Sequence, residues 1–168
     1  FKMTGDDQLV AEQKPAFIEL LKSFQFTSAE ASTGLPPSHP PIDGIPPASA
    51  GPAMSSEGKP DWQTPPGWKE IPGGQFLVAK FMIGAGGESG PTAVVNVSTS
   101  AGDGGGLAAN VNRWRKQLGL NEVSGDELAR TVKTIETSAG QATIVEINGT
   151  DARSGQPASL VGAMVTQS

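Results

Sequence analysis

Residues 74–100 read GQFLVAKFMIGAGGESGPTAVVNVSTS, and this stretch decides the fold class. Two runs rich in β-branched and aromatic residues flank AGGESG at 85–90, which has the composition of a turn. In the first run one face carries Phe76, Val78, Lys80 and Met82 and the other carries Leu77, Ala79, Phe81 and Ile83, while Ala93, Val95 and Val97 share a face in the second. This alternation predicts two antiparallel strands joined by a hairpin turn.

Further strand patterns follow on both sides of this hairpin. They are GWKEIP at 67–72, TVKTIETS at 131–138, GQATIVEING at 140–149 and ASLVGAMVTQS at 158–168. Most of these runs are separated by short turns, which join antiparallel rather than parallel strands. With helices inserted between them, the runs predict an α+β fold: an antiparallel sheet of about five to six strands flanked by helices.

Two helices are predicted after the hairpin. The first covers 107–118 and has one apolar face, formed by Leu107, Val111, Trp114 and Leu118. The second covers about 125–131 and begins with SGDE, in which Ser124 and Glu127 fit a capping box.

The first 26 residues, FKMTGDDQLVAEQKPAFIELLKSFQF, predict a strand at Phe1–Thr4 followed by an amphipathic helix that Asp6 or Asp7 caps. The helical stripe consists of Val10, Gln13, Phe17, Leu20, Leu21 and Phe24. Pro15 lies inside this pattern, so we expect a kink there or two abutting helices. The apolar stripe must be buried against a sheet, and the family resemblance described below implies that Phe1–Thr4 pairs beside the last strand, 159–167.

A proline-rich segment separates these residues from the main block. Residues 27–66 contain ten prolines, which cannot support a continuous helix or ladder, so we interpret the segment as an extended linker. A ligand for an aromatic groove is the alternative. Trp62 and Trp68 flank prolines here; they either pin the linker to the domain or form part of a partner interface. The predicted organisation is a strand–helix segment at 1–26, the linker at 27–66 and a main domain at 67–168.

Composition excludes several classes of function. The formal net charge is −5, which disfavours binding to nucleic acid or to an anionic membrane surface. Cysteine is absent and His39 is the one histidine, so thiolate or multi-histidine metal sites and cysteine nucleophiles are excluded. No apolar run is long enough to span a membrane. The start at Phe1 is taken as that of a trimmed or partial chain.

The glycine-rich stretch SAGDGGGLAA at 100–109 is the strongest candidate for ligand chemistry. Gly104, Gly106 and Ala109 match the G-x-G-x-x-A dinucleotide pattern, but a second helix follows instead of a parallel strand, so dinucleotide binding is disfavoured. A looser anion site would combine the helix N-terminus at Gly104, Gly105 and Gly106 with Arg113 or Arg115. The structural alternative is a helix capped by Ser100 or Asp103, with glycines that permit a sharp turn.

No catalytic constellation is predicted. Glu136 and Glu146 lie in neighbouring strands and could face each other, but exposed strand positions are the favoured explanation. Asp151 has the context of a turn residue. We therefore assign no catalytic, metal or cofactor residues.

Two segments resemble a known family. FKMTGDDQLVAEQKPAFIELLKSFQF resembles the closing strand and long helix of PsbP-like (Mog-type) α+β domains, and the block from GWKEIP to LVGAMV resembles the preceding part. The chain is also similar to uncharacterised exported bacterial proteins that carry GDGGG-LAANVNRWRKQLGL and GTD-RSGQPASLVGA. The family's order is permuted here, so that residues 1–26 either close this chain's own domain or belong to a preceding repeat.

The resemblance implies an exported, periplasmic or envelope-associated protein, since PsbP-like domains are mostly non-enzymatic accessory subunits extrinsic to membrane complexes. We expect a non-enzymatic accessory or assembly subunit that acts through protein–protein contacts or self-association, without a cofactor. The alternative is a small-ligand or anion-binding module that uses the helix N-terminus after Gly106. The candidate interaction residues are Trp62, Trp68, Phe17, Leu21 and Phe24.

Overall fold

A computed structural model describes residues 1–25, 60–84, 90–100 and 104–166. The elements in chain order are β1 Lys2–Asp6, α1 Asp7–Ser23, β2 Trp68–Glu70, β3 Ala79–Ile83, β4 Ala93–Val97, α2 Gly106–Gln117, α3 Gly125–Thr131, β5 Val132–Thr137, β6 Gly140–Thr150 and β7 Pro157–Val165. His39, Asp103, most of the expected linker and most of the expected turn at 85–90 lie outside the described residues.

The strands within the described residues form one sheet in the order β2-β3-β4-β1-β7-β6-β5. Every neighbouring pair is antiparallel, and helices flank the sheet, which confirms the predicted α+β class. The sheet has seven strands rather than five to six, because the short strands β1 and β2 pair as regular members of it.

Strand β1 lies in the middle of the sheet, between β4 and β7. Met3 is opposite Val95 on one side and Val161 on the other. The predicted pairing of the first strand beside the last is therefore confirmed. The second pairing, with β4, was not predicted, and it makes β1 the strand that joins the two halves of the sheet.

Helix α1 covers one face of the sheet with its predicted apolar stripe. Phe17, Leu20 and Leu21 are at most 1 % exposed. Asp6 caps the helix as expected, because its Oδ1 accepts a hydrogen bond from the backbone N–H of Leu9 at 3.1 Å. The start of α1 is also held by Ser159 of β7, whose buried hydroxyl donates to the Asp7 carboxylate.

The expectation of two abutting helices at Pro15 is wrong. A single helix runs from Asp7 to Ser23 through Pro15. Pro15 and Ala11 are both exposed, so the carbonyl that loses its helical partner can bond to water instead. The missing hydrogen bond is therefore tolerated on the solvent side of the helix.

Helices α2 and α3 pack against part of the other face. Trp114, Val111 and Leu118 of α2 form a second core with β6 and β7, as their spacing predicted. The members of this core are Val111, Trp114, Leu118, Leu128, Val145, Ile147, Ala158 and Leu160. The sheet consequently has an apolar layer on both faces where β6 and β7 lie.

Several local expectations are corrected by the structure. The strand expected from residue 75 begins at Ala79, because a turn closed by a 3.0 Å hydrogen bond from Leu77 N to Gly74 O precedes it and leaves Phe76 86 % exposed. Helix α3 forms where predicted, but the Ser124 side chain makes no capping hydrogen bond; its carbonyl accepts from Leu128 N at 3.0 Å. The capping box is thus absent although its helix is present.

Candidate functional site

The glycines at the start of α2 permit the backbone conformation of the turn that leads into this helix. Gly104, Gly105 and Gly106 all have positive φ, at 61°, 91° and 81°, a region that L side chains rarely adopt. The N-cap is Gly105, and neither Ser100 nor another side chain caps the helix within the described residues. Asn110 Nδ2 donates to the carbonyls of Gly104 and Gly106, at 3.1 and 2.9 Å. Asn110 of α2 therefore stabilises the loop that leads into the helix.

The two arginines of the expected anion site lie further along α2. Their Cα atoms follow that of Gly106 by seven and nine residues, about 10 and 13 Å along the helix axis. Arg115 Nε donates to Asn121 O at 2.6 Å, at the opposite end of α2, so this arginine is held away from the loop. Arg113 is exposed on the helix surface, and an anion site that includes it stays a prediction.

The expected acidic pair is also separated. Glu136 is opposite Gln141, whereas Glu146 accepts hydrogen bonds from Lys14 and Lys133 on the face covered by α1. Residues 141 and 146 point to opposite faces of β6, because successive side chains alternate along a strand. Asp151 is a turn residue as predicted, and its Oδ1 accepts hydrogen bonds from the backbone N–H groups of Arg153 and Ser154 in the same turn.

The candidate interaction residues lie within the chain's own packing. Phe17, Leu21, Phe24 and Trp68 are buried, with exposed fractions from 0 to 7 %. Trp68 Nε1 donates to Gln13 Oε1 of α1 at 2.8 Å. These side chains hold α1 against the sheet.

Trp62 packs against the core close to residue 60, where the second described range begins. Its ring stacks on Phe24, with centroids 6.3 Å apart and planes 5° from parallel, and meets Phe81 edge-on at 6.2 Å. Gln25 and Asp61 exchange two backbone hydrogen bonds of 2.9 and 3.0 Å beside it. Gln25 and Asp61 are therefore neighbours in the fold, although they are far apart in the sequence.

A different feature distinguishes the sheet: half of one face is not covered by a described helix. Helix α2 packs on β6 and β7 of this face, and reaches β1 at the margin, where Lys2 Nζ donates to Gln117 Oε1 at 3.0 Å. The side chains that β1, β4 and β3 present beyond that margin are half-buried. We call this surface the open face; it consists of Lys2, Thr4, Lys80, Met82, Val94 and Asn96.

The register places the polar side chains of the open face in one row. Asn96 is opposite Lys2 on one side and Lys80 on the other. In the next row Val94 is opposite Met82, and Met82 is opposite the exposed Lys69 at the edge of the sheet. Met82 and Val94 thus lie side by side between Lys69 and Thr4, next to the row that contains Lys80 and Lys2.

The lysines on and beside this face have no acidic partner among the described residues. The ion pairs found there involve Lys14, Lys22, Lys116 and Lys133. Lys2, Lys69 and Lys80 form none within 4.0 Å in that part of the chain. Burial lowers the pKa of Lys2 from its ordinary value of 10.5, because desolvation disfavours the ammonium.

One polar atom of the open face lacks a partner in the described structure. Asn96 Oδ1 is buried and accepts no hydrogen bond from any described residue. A buried amide oxygen without a donor is uncommon in folded proteins and marks a place where a further donor is expected. It lies between the two lysines of the row.

Sequence reasoning found only part of this surface. The alternation along 74–83 placed Lys80 and Met82 on one face, but nothing in the sequence indicated that Lys2 and Asn96 would join them. That juxtaposition depends on the insertion of β1 between β4 and β7.

The chain matches no protein-family model, no curated protein and no solved structure. The PsbP-like resemblance therefore stays a prediction. Among the helices that the structure describes, none combines the length and apolarity needed to cross a bilayer.

Proposed function

We propose that the chain is a non-enzymatic accessory or assembly subunit that acts through protein–protein contacts, extrinsic to a membrane or envelope complex. The open face supports this function. Antiparallel sheets often leave one face in water, and such faces are then lined by polar side chains. Here Met82 and Val94 place two adjacent apolar side chains among the polar ones, and protein interfaces combine apolar and polar contacts in this way.

On the covered half of the same face, the sheet packs against helix α2. Trp114 and Leu118 pack on β6 and β7 and form a dry core there. A partner placed on the open face would continue that layer across β1, β4 and β3. The sheet therefore has the form of a scaffold whose second layer is completed by another protein.

Site-specific photo-crosslinking tests this proposal. p-Benzoylphenylalanine replaces Met82 on the open face or, as the matched control, Glu12, which is exposed on α1 on the opposite side of the sheet. We expect irradiation in source cells to give one discrete protein adduct from position 82 and none from position 12.

A second variant connects the adduct to the surface. Val94→Arg places a long charged side chain at the centre of the open face, and it should abolish the adduct formed from position 82 while leaving the melting temperature within a few degrees. Equal yields from positions 82 and 12, or an adduct indifferent to Val94→Arg, contradict the proposed function.

A further inference from the structure

We infer that the open face binds an acidic, extended peptide segment of a partner protein. This inference deepens the proposed function and rests on it. The segment would supply carboxylates to Lys2, Lys80 and Lys69.

The charge distribution of the open face predicts that the partner segment is negatively charged. The chain as a whole carries a net charge of −5, yet three lysines gather at this face without an acidic neighbour among the described residues. A complementary acidic surface would pair with them and would be rejected by the acidic remainder of the molecule. The desolvation that lowers the pKa of Lys2 would be offset by a carboxylate brought to its ammonium group.

The dimensions of the face fit a narrow partner. Three strand spacings of about 4.8 Å separate Lys69 on β2 from Lys2 on β1, so the lysines span about 14 Å. An extended segment of about four residues covers that length at about 3.3 Å per residue. Alternate side chains of such a segment point to the same side, so acidic and apolar residues in alternation can place carboxylates towards the sheet.

Helix α2 limits the occupant further. It stands beside the open face on β6 and β7, and a helix with its side chains is about 10 Å thick. The sheet surface beside it is therefore recessed. A single extended segment can enter this recess, whereas the plane of a membrane would meet α2 first.

The test is direct binding to the full chain, measured by fluorescence anisotropy. The probe is a fluorescein-labelled octapeptide of alternating Glu and Val, and the control peptide carries Gln in place of every Glu. We expect the Glu peptide to bind at least tenfold more tightly than the Gln peptide, and its affinity to fall severalfold between 50 and 300 mM salt because screening weakens exposed ion pairs.

Charge reversal assigns the binding to the open face. The double variant Lys69→Glu/Lys80→Glu should weaken binding of the Glu peptide at least tenfold. The control Lys22→Glu makes the same kind of change on α1, where Lys22 is paired with Glu19, and should change the affinity by less than a factor of two. If the double variant does not fold, Lys69→Gln and Lys80→Gln are measured instead, and each should weaken binding about threefold or more.

The outcomes separate this inference from the proposed function. Equal affinity for the Glu and Gln peptides, or no loss on charge reversal, overturns the acidic-segment inference even when position 82 still gives its crosslinked adduct. Sedimentation with vesicles of phosphatidylcholine and phosphatidylserine tests the other anionic partner. Vesicle binding that depends on Lys69 and Lys80, without peptide binding, overturns the inference in favour of a membrane surface.

Discussion

The contact between Trp114 and Gly162 gives the sharpest prediction about stability. The indole of Trp114 in α2 lies directly over Gly162 in β7, so that a Cβ added to Gly162 would be 2.1 Å from Trp114 Cζ3 and 2.5 Å from Cε3. Real Cβ atoms essentially never approach other heavy atoms this closely. Gly162→Ala should therefore force the indole to move and should destabilise the fold.

The magnitude follows from two opposing effects. Overpacking of a core typically costs about 1–3 kcal/mol. Replacing glycine by alanine in a conformation that alanine can adopt stabilises by about 0.4–1 kcal/mol, through the unfolded chain. Steric conflict is the larger effect, and the net loss should be about 1–2 kcal/mol, which lowers the melting temperature by about 2–8 °C in a chain of this size.

The assay is urea denaturation followed by far-ultraviolet circular dichroism, with a double-mutant cycle. In a Trp114→Leu background the added methyl group has room, so Gly162→Ala should be neutral or slightly stabilising there. The coupling between the two substitutions should then be about 1–3 kcal/mol. Gly74→Ala is the control, because no atom lies within 4 Å of its added Cβ. An unchanged midpoint for Gly162→Ala, or the same loss in both backgrounds, would refute the steric argument.

Three further predictions concern the attachment of α1. Asp6→Ala removes the N-cap of α1 and should lower the free energy of unfolding by about 1 kcal/mol in urea denaturation, whereas Asp6→Asn should retain most of it. Gln13→Ala removes the acceptor of the Trp68 indole N–H and should cost about 1–2 kcal/mol, with an unchanged unfolding midpoint contradicting that contact. A hydrogen bond from Lys14 holds the pKa of Glu146 below its ordinary value of 4.5. The stabilisation of the fold by this ion pair is therefore present above about pH 4.5 and is lost as pH falls through the lowered pKa. Glu146→Gln should accordingly cost a few tenths of a kcal/mol at pH 7 and reduce the acid dependence of the melting temperature, because Glu146 is partly exposed.

The predictable part of the fold is local. Alternation in 74–100 and helical spacing in residues 1–24 and 107–118 identified the strands and helices, because the buried face of each element has a fixed period. These inferences require only the sequence of the element itself. The pairing of β1 with β7 was predicted differently, from a resemblance to a family in which this strand and helix close the sheet.

The remaining features depend on register between distant strands. The placement of β1 against β4 aligns Lys2, Asn96 and Lys80, and no local pattern specifies that row. Conversely, Gly106 and Arg115 are close in sequence, but Arg115 is bound to Asn121 at the opposite end of α2. The expectation of two abutting helices at Pro15 was wrong because the cost of a lost helical hydrogen bond depends on whether water can replace it.

The central position of β1 also determines when this protein can finish folding. The ribosome releases β1 and α1 before any of their sheet partners, and Met3 pairs with Val161 near the other end of the described residues. Such long-range pairing is slow, because a large loop must close before the contact forms. Until β7 has been synthesised, the apolar stripe of α1 has no complete sheet to cover, and the nascent chain exposes it. The sheet of this domain therefore cannot be completed until β7 has left the ribosome.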